Sequence, residues 1–272
     1  MSVMGTVGTG VEQVPLLSEA QVAQFKRDGY LVLPAALDPD RCRATRDAMW
    51  ETIGDYLPRM KRADPSTWGL ITDEDHTALL ARVPDGCGDP FFCGKGHRFF
   101  VRNGAKEAML NLAPRPMWSI AEQLLGKDTI VPATGLQAGR ATGQGTRGLY
   151  CTLPGSHIRV WEEQWKAFLE DGEKHTDKHL EVRRAGGYTD PVIQQIKADT
   201  QPVDCHGPAG TVVLWHTKIL HMAGQNCSAD ILRQATIYGF MKTPESIPDA
   251  RVIDDTNLDV WRDWSAQVRD AN

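Results

Sequence analysis

The sequence has no long apolar run, no CxxC pair of cysteines and no excess of positive charge. No stretch approaches the roughly 18 consecutive apolar residues of a membrane-spanning helix, so we expect no membrane span. With a net charge of −5, nothing in the composition indicates electrostatic attraction to nucleic acid or to an anionic membrane, and we expect no nucleic-acid partner. The six cysteines are scattered, which indicates reduced thiols rather than a disulfide scaffold. Because the first eighteen residues also lack any basic residue, they do not resemble a signal peptide, and we expect a cytoplasmic protein.

What the sequence does contain is an ordinary globular composition over 272 residues, with 41% apolar and 24% charged residues. It shows no internal repeat and no shift in composition that would mark a linker. The sequence therefore predicts a single domain over residues 1–272, with a flexible tail at 1–15. Helical patterns come first and strand patterns dominate the second half, an order that is typical of the α+β class.

Local capping and turn residues predict where the helices begin and end. Ser18 and Gln21 form a capping box, and Gly29 suits the end of the helix that they start. The pairs Asp38-Pro39 and Asp190-Pro191 each predict the start of another helix. Apolar spacing predicts further helices over 116–125, around Trp161 and Trp165, and over 258–268, with strands over 30–33, 129–132, 147–153, 210–215 and 233–241, and irregular loops over 60–105.

The strongest candidate for a functional residue is His221. It follows an apolar strand that begins at Gly210 and runs through Trp215. Ala223 and Gly224 come directly after it, and such small residues let a ligand approach the backbone. The alternative is a core histidine whose ring is satisfied by a backbone carbonyl. The pattern favours a metal ligand once Arg233, twelve residues further on, is taken into account.

Arg233 opens a mostly apolar strand. A guanidinium group that enters a buried strand needs an anionic partner, and its planar fork binds a carboxylate through two parallel hydrogen bonds. That carboxylate belongs either to a bound small molecule or, as is commoner for arginine, to another side chain of the protein.

His175 and Asp177 form an HxD pair, which supplies two of the three ligands of a 2-His-1-carboxylate metal site. They lie in a highly charged run over 170–179 that directly follows a predicted helix. Metal ligands normally lie inside an apolar shell, so this run favours a solvated loop.

Three other patterns do not support a site. The GxGxxG over 143–148 is followed by a strand pattern instead of the helix that a dinucleotide site requires. Cys87, Cys93 and His97 lack zinc-site spacing and a fourth ligand. Ser156 lacks the second glycine of a nucleophile elbow. We therefore assign no catalytic side chain from the sequence.

Six pieces of the sequence stand in a recognisable order along the chain: Phe25–Pro34, Leu125-Gly126, Pro154–His157, Gly210–His221, Asn226 and Arg233. Taken in that order, they resemble the phytanoyl-CoA dioxygenase family of Fe(II)/2-oxoglutarate-dependent oxygenases. The family implies a double-stranded β-helix (jelly-roll) core flanked by helices, and the sequence leaves open whether core strands are missing here. It implies Fe(II), 2-oxoglutarate and O₂ as cofactor and cosubstrates, and hydroxylation of a small or lipid-like substrate. It also implies that His221 is an iron ligand and that Arg233 holds the far carboxylate of 2-oxoglutarate.

The chain departs from this family where the HxD motif should stand. In relatives that motif precedes the element resembling Pro154–His157, whereas here only Thr152 and Leu153 separate Cys151 from Pro154. His175 and Asp177 come after that element. One imidazole does not hold Fe(II), a weak binder among divalent metals. The alternative to an enzyme is therefore a catalytically inactive variant that acts as a binding or interaction protein. The sequence leaves the substrate and the oligomeric state open.

Overall fold

The computed structural model describes residues 14–68, 72–75, 77, 91–94, 98–101, 115–131, 137–141, 150–171, 191–222, 235–243, 246 and 259–272. In these residues the helices are α1 (Glu19–Asp28), α2 (Pro39–Tyr56), α3 (Trp118–Leu125), α4 (Ser156–Asp171), α5 (Pro191–Asp199) and α6 (Ala266–Arg269), with a 3₁₀ turn at Pro65–Thr67. The strands are β1 (Tyr30–Leu33), β2 (Phe91–Gly94), β3 (Arg98–Val101), β4 (Ile130–Val131), β5 (Gln137–Ala141), β6 (Tyr150–Thr152), β7 (Val203–Cys205), β8 (Val212–Trp215), β9 (His221–Met222), β10 (Thr236–Ile237) and β11 (Met241–Lys242).

Helix α1 begins and ends as its sequence predicts. The Ser18 hydroxyl accepts a hydrogen bond from the Gln21 N–H, and the Gln21 side chain accepts one from the Ser18 N–H, which completes the capping box. Gly29 ends the helix with a φ of 75°, in the left-handed region that favours glycine. Val22 and Phe25 face the core and are 1% exposed. The predicted first helix is confirmed at both ends.

The strands pair into small antiparallel sheets. In the described residues the orders are β1-β8, β10-β5-β3-β2, β11-β4 and β7-β6-β9. Helices and antiparallel sheets together match the α+β expectation. A jelly roll packs two larger sheets face to face, and the described strands do not join into such a pair, so the predicted double-stranded β-helix is not confirmed.

The main core lies where α1, β1, α3 and the C-terminal residues meet. Strand β1 pairs with β8 so that Tyr30 lies opposite Trp215 and Leu33 opposite Val212. The Lys26 ammonium holds the C-terminal end against α1 by donating to the carbonyl oxygens of Arg269 and Ala271, at 2.6 and 2.8 Å. The buried side chains of this core are Val14, Leu17, Val22, Phe25, Leu31, Leu33, Leu37, Met117, Ile120, Leu124, Trp261 and Val268.

Part of the segment predicted as irregular, 60–105, is a β-hairpin. Strands β2 and β3 pair with Phe92 opposite Phe100, and β3 continues the sheet to β5. The pairing with β5 is a contact between residues far apart in sequence, and apolar spacing alone does not predict it.

Both ends of the described chain differ from expectation. Val14, placed by the sequence in the flexible tail 1–15, is buried, and its N–H donates to the Pro116 carbonyl at 2.9 Å. Residues 1–13 lie outside the described part. Near the C-terminus, the helix predicted over 258–268 is shorter, because α6 covers only Ala266–Arg269 and Trp261 lies in a turn before it.

No helix in the described part of the chain combines the length and the hydropathy that crossing a membrane requires.

Candidate functional site

His216 shapes the turn that leads from β8 to β9. The Lys218 N–H donates to His216 Nδ1 at 3.1 Å, and the Ile219 N–H donates to the His216 carbonyl at 3.0 Å. Because Nδ1 accepts a hydrogen bond, the proton of the neutral His216 ring is on Nε2. The ring is 4% exposed, so this turn is fixed from inside the protein.

Leu220, the next residue, is held at both of its backbone groups. Its N–H donates to the Ser156 hydroxyl at 2.9 Å. Its carbonyl accepts the Leu153 N–H at 3.0 Å and the Thr152 hydroxyl at 3.4 Å. Ser156 and Thr152 are 1% and 0% exposed, and both belong to the junction between β6 and α4. This junction therefore fixes the backbone directly before His221.

His221 lies in β9, opposite Thr152 of β6. Its Nδ1 is 3.0 Å from the Ile219 carbonyl oxygen. A carbonyl oxygen only accepts, so Nδ1 carries a proton and is the donor of this hydrogen bond. A histidine that ligates a metal usually donates its other ring N–H to a carbonyl or carboxylate in this way. The ring is exposed and lies 6.4 Å from the Trp215 ring.

Behind this turn, two histidines pack against two tryptophans. We call His157, His216, Trp261 and Trp264 the histidine–tryptophan cluster. The two imidazole rings are 5.4 Å apart, and the Trp261 ring is 5.1 Å from the first and 5.0 Å from the second. Trp264 lies 5.1 Å from His216 and 4.8 Å from Trp261. The C-terminal tryptophans therefore close over the histidines from the side of α1, where Phe25 contacts both.

Burial keeps both histidines of the cluster neutral. Loss of hydration lowers the pKa of His157 to about 4, and the hydrogen bond of its Nε2–H to the Lys26 carbonyl offsets only part of that change. Burial, with smaller effects of His157 and Lys218, lowers the pKa of His216 to about 3. His157 Nδ1 and Trp261 Nε1 have no hydrogen-bond partner among the described residues. The imidazole rings of His157 and His216 therefore contribute packing contacts and hydrogen bonds, and neither carries a positive charge at neutral pH.

Three of the segments that carry the family resemblance meet at the His216 turn and the His157 ring. The His216 N–H donates to the Gly29 carbonyl at 2.8 Å, and the Gly155 N–H donates to the Asp28 carbonyl at 2.9 Å. The His157 ring packs directly against Gly29. One assembly is thus formed by the end of α1, the Pro154–His157 turn and the segment from Gly210 to His221. His221 is the last residue of that segment.

The other predicted site residues, Arg233, His175 and Asp177, lie outside the described residues, as do Cys87 and His97. Over the described ranges, no three His, Cys, Asp or Glu side chains form a group that could hold a metal ion. His221 fits one imidazole ligand of an iron site, and a complete triad is not assembled from the described part of the chain.

Comparison with known families identifies a segment that contains two parts of this assembly, the Pro154–His157 turn and the residues from Gly210 to His221. Residues 146–235, about a third of the chain, match the model of the phytanoyl-CoA dioxygenase (PhyH) family. The resemblance to this family is confirmed. The matched residues include the Pro154–His157 turn, His221 and Arg233, together with His175 and Asp177. Among curated proteins, none matches the chain.

Solved structures with some similarity include two non-heme α-ketoglutarate-dependent enzymes from nogalamycin biosynthesis. The α-ketoglutarate-dependent carbocyclase SnoK from nogalamycin biosynthesis is 18% identical, with 85% of this chain and 87% of that chain covered and a TM-score of 0.43. AviO1 from Streptomyces viridochromogenes Tue57 is 16% identical, with coverages of 86% and 98% and a TM-score of 0.46. HygX from Streptomyces hygroscopicus, solved with nickel and 2-oxoglutarate, is 15% identical, with coverages of 83% and 87% and a TM-score of 0.33. Similarity at this level assigns no substrate to this chain.

Sequence reasoning singled out His221 and overlooked the two histidines behind it. His157 ends the Pro154–His157 turn, and His216 follows the apolar strand directly. Both positions were visible as parts of the family resemblance. Their burial was not, since it depends on Trp261 and Trp264 reaching them from the far end of the chain.

Proposed function

We propose that this protein is an Fe(II)- and 2-oxoglutarate-dependent oxygenase that hydroxylates a small or lipid-like molecule. The family match over residues 146–235 supports the class of chemistry. The single observation that carries the proposal in this chain is that His221, although exposed, donates its Nδ1–H to the Ile219 carbonyl. A buried core histidine would make the same kind of bond, whereas an exposed ring that donates in this way has the orientation typical of a metal ligand.

In the proposed site, His221 Nε2 binds Fe(II) and the Arg233 guanidinium binds the far carboxylate of 2-oxoglutarate. His175 and Asp177 are the candidates for the two remaining iron ligands, because they provide the imidazole and carboxylate that a facial triad requires. When bound, Fe(II) and 2-oxoglutarate supply the activation of O₂, while the protein orients the substrate and excludes water. Among the described residues, Cys42 and Cys205 form no disulfide. A reducing, cytoplasmic location is part of the proposal.

A second candidate function is binding of 2-oxoglutarate or a similar dicarboxylate at Arg233 without oxidation. The observation that favours it is the short connection between β6 and Pro154, which leaves no room for the HxD strand of the family. In that case Arg233 retains its role and His221 has none.

An anaerobic titration with Fe(II) and 2-oxoglutarate tests the proposed function. We expect a saturable visible charge-transfer band in the wild-type protein, because that band requires 2-oxoglutarate chelated to bound iron. In His221→Ala we expect Fe(II) affinity to fall at least about 100-fold, more than the loss typical of a residue that only supports a ligand. The double variant His175→Ala/Asp177→Ala is expected to lose the band as well.

The matched control is His206→Ala, which removes an exposed histidine from the same half of the chain and should leave the band unchanged. A folded wild-type protein that shows no band contradicts the oxygenase. Binding of 2-oxoglutarate in such a protein, weakened about 10-fold by Arg233→Lys because the two-pronged contact is lost, would establish the second candidate.

A further inference from the structure

One peptide group connects the Ser156 hydroxyl with the ring of His221. The Ile219–Leu220 peptide group consists of the Ile219 carbonyl and the Leu220 N–H, which lie in one plane. Its N–H donates to Ser156 Oγ at 2.9 Å, and its carbonyl accepts from His221 Nδ1–H at 3.0 Å. The hydroxyl and the imidazole therefore act on opposite edges of the same rigid unit.

We propose that Ser156 is a positioning residue for His221, because it fixes the peptide plane that selects the Nδ1–H form of that ring. This inference rests on the proposed function only for the role of the His221 ring as an iron ligand. Ser156 is 1% exposed and begins α4, so its hydroxyl is anchored by the helix and not by solvent. Chained hydrogen bonds strengthen one another in such buried surroundings.

Without the hydroxyl, the Leu220 N–H loses a buried acceptor, and an unsatisfied N–H turns toward water or another acceptor. Rotation of the peptide plane moves the Ile219 carbonyl away from the imidazole. The His221 Nδ1–H then loses this acceptor, so the proton is no longer held on Nδ1 and the direction of the imidazole ring is no longer fixed by it. The effect of Ser156 thus passes through the Ile219–Leu220 peptide group and involves no contact with a ligand.

Thr152 supplies a control at the same junction. Its hydroxyl donates to the Leu220 carbonyl, which belongs to the following peptide group, and not to the Ile219 carbonyl that accepts from the His221 ring. Thr152→Val keeps the shape of this fully buried side chain and removes only the hydroxyl. We expect Thr152→Val and Ser156→Ala to lower the free energy of unfolding by a similar amount, about 1 kcal/mol for one hydrogen bond. Only Ser156→Ala is expected to change which ring nitrogen of His221 carries the proton.

The test measures the ring nitrogens of His221 by NMR in protein labelled with ¹⁵N-histidine, at a pH where the ring is neutral and without metal. The signal is assigned by its loss in His221→Gln. We expect the Nδ1–H form in the wild-type protein and in Thr152→Val, and a shift to mainly Nε2–H in Ser156→Ala. Ser156→Thr, which keeps a hydroxyl, should restore the wild-type form. Folding of each variant is checked by circular dichroism.

A Nδ1–H form that persists in folded Ser156→Ala overturns the proposal. A shift that Thr152→Val reproduces also overturns it, since a general loosening of the junction would then be the cause. In the Fe(II) titration, Ser156→Ala is expected to weaken Fe(II) binding about 10-fold, with 2-oxoglutarate binding at Arg233 unchanged. A wild-type protein that binds no Fe(II) while Ser156→Ala shifts the ring form refutes the proposed function and leaves the positioning role intact.

Discussion

Gly29→Ala is expected to lower the free energy of unfolding by about 3–5 kcal/mol, the largest effect of any single substitution described for this protein. Gly29 has a φ of 75°, which costs an alanine about 1–2 kcal/mol. Its added Cβ would lie 2.3 Å from His157 Nδ1 and 2.7 Å from Cε1. His157 is 0% exposed and lies between Trp261 and His216, so the ring has no space into which to move.

The measurement is urea unfolding followed by circular dichroism, and Gly54→Ala is its control. Gly54 lies in α2, and nothing is within 4 Å of an added Cβ. Alanine there should stabilise the helix by up to about 1 kcal/mol. If Gly29→Ala unfolds within about 0.5 kcal/mol of Gly54→Ala, the packing of the histidine–tryptophan cluster against Gly29 is wrong.

Acid is expected to destabilise the folded protein well before its carboxylates are protonated. The folded pKa values of His157 and His216 are about 4 and about 3, below the ordinary value of 6.5 in the unfolded chain. At a pH between the folded and the unfolded pKa, the unfolded chain binds more protons than the folded protein does. The free energy of unfolding therefore falls as pH decreases from 6.5 toward 4. At pH 5 the loss is about 2 kcal/mol for each histidine, relative to pH 7.

Unfolding by urea at pH 7, 6 and 5 measures this dependence. His216→Asn keeps an acceptor for the Lys218 N–H and removes the titrating ring, so its slope between pH 6 and 5 should decrease by about 1 kcal/mol per pH unit. His206→Asn, at an exposed position, should keep the wild-type slope. Equal slopes in wild type and His216→Asn would show that His216 is not buried and neutral in the folded protein.

The local elements of this fold could be predicted because their signals lie within a few residues. The capping box at Ser18 and the left-handed Gly29 define α1, and Asp38-Pro39 begins α2. The end of α3 at Gly126 and the start of α5 at Pro191 follow in the same way. Each of these signals is a side chain or a backbone angle that acts on its own neighbours.

Strand pairing was predicted less well, because it depends on residues far apart in sequence. The segment 60–105 was predicted to be irregular, yet Phe91–Gly94 and Arg98–Val101 form a hairpin that extends a sheet through β5. The continuous strand predicted over 233–241 is represented in the described residues by β10 and β11, which pair with different sheets. An apolar segment shows that a strand is favoured and does not show which partner it takes.

The sequence by itself determined one or both ends of α1, α2, α3 and α5, the family resemblance and the prediction that His221 is a metal ligand, since these depend on local patterns and on the order of segments. Only the tertiary structure decided which groups surround that histidine. Ser156 and Leu220 are 64 residues apart, yet a single hydrogen bond joins them. The neutrality of His157 and His216 likewise arises from burial under Trp261 and Trp264. Burial and contacts between distant residues arise only when the chain folds, because they require the removal of water from several segments at once.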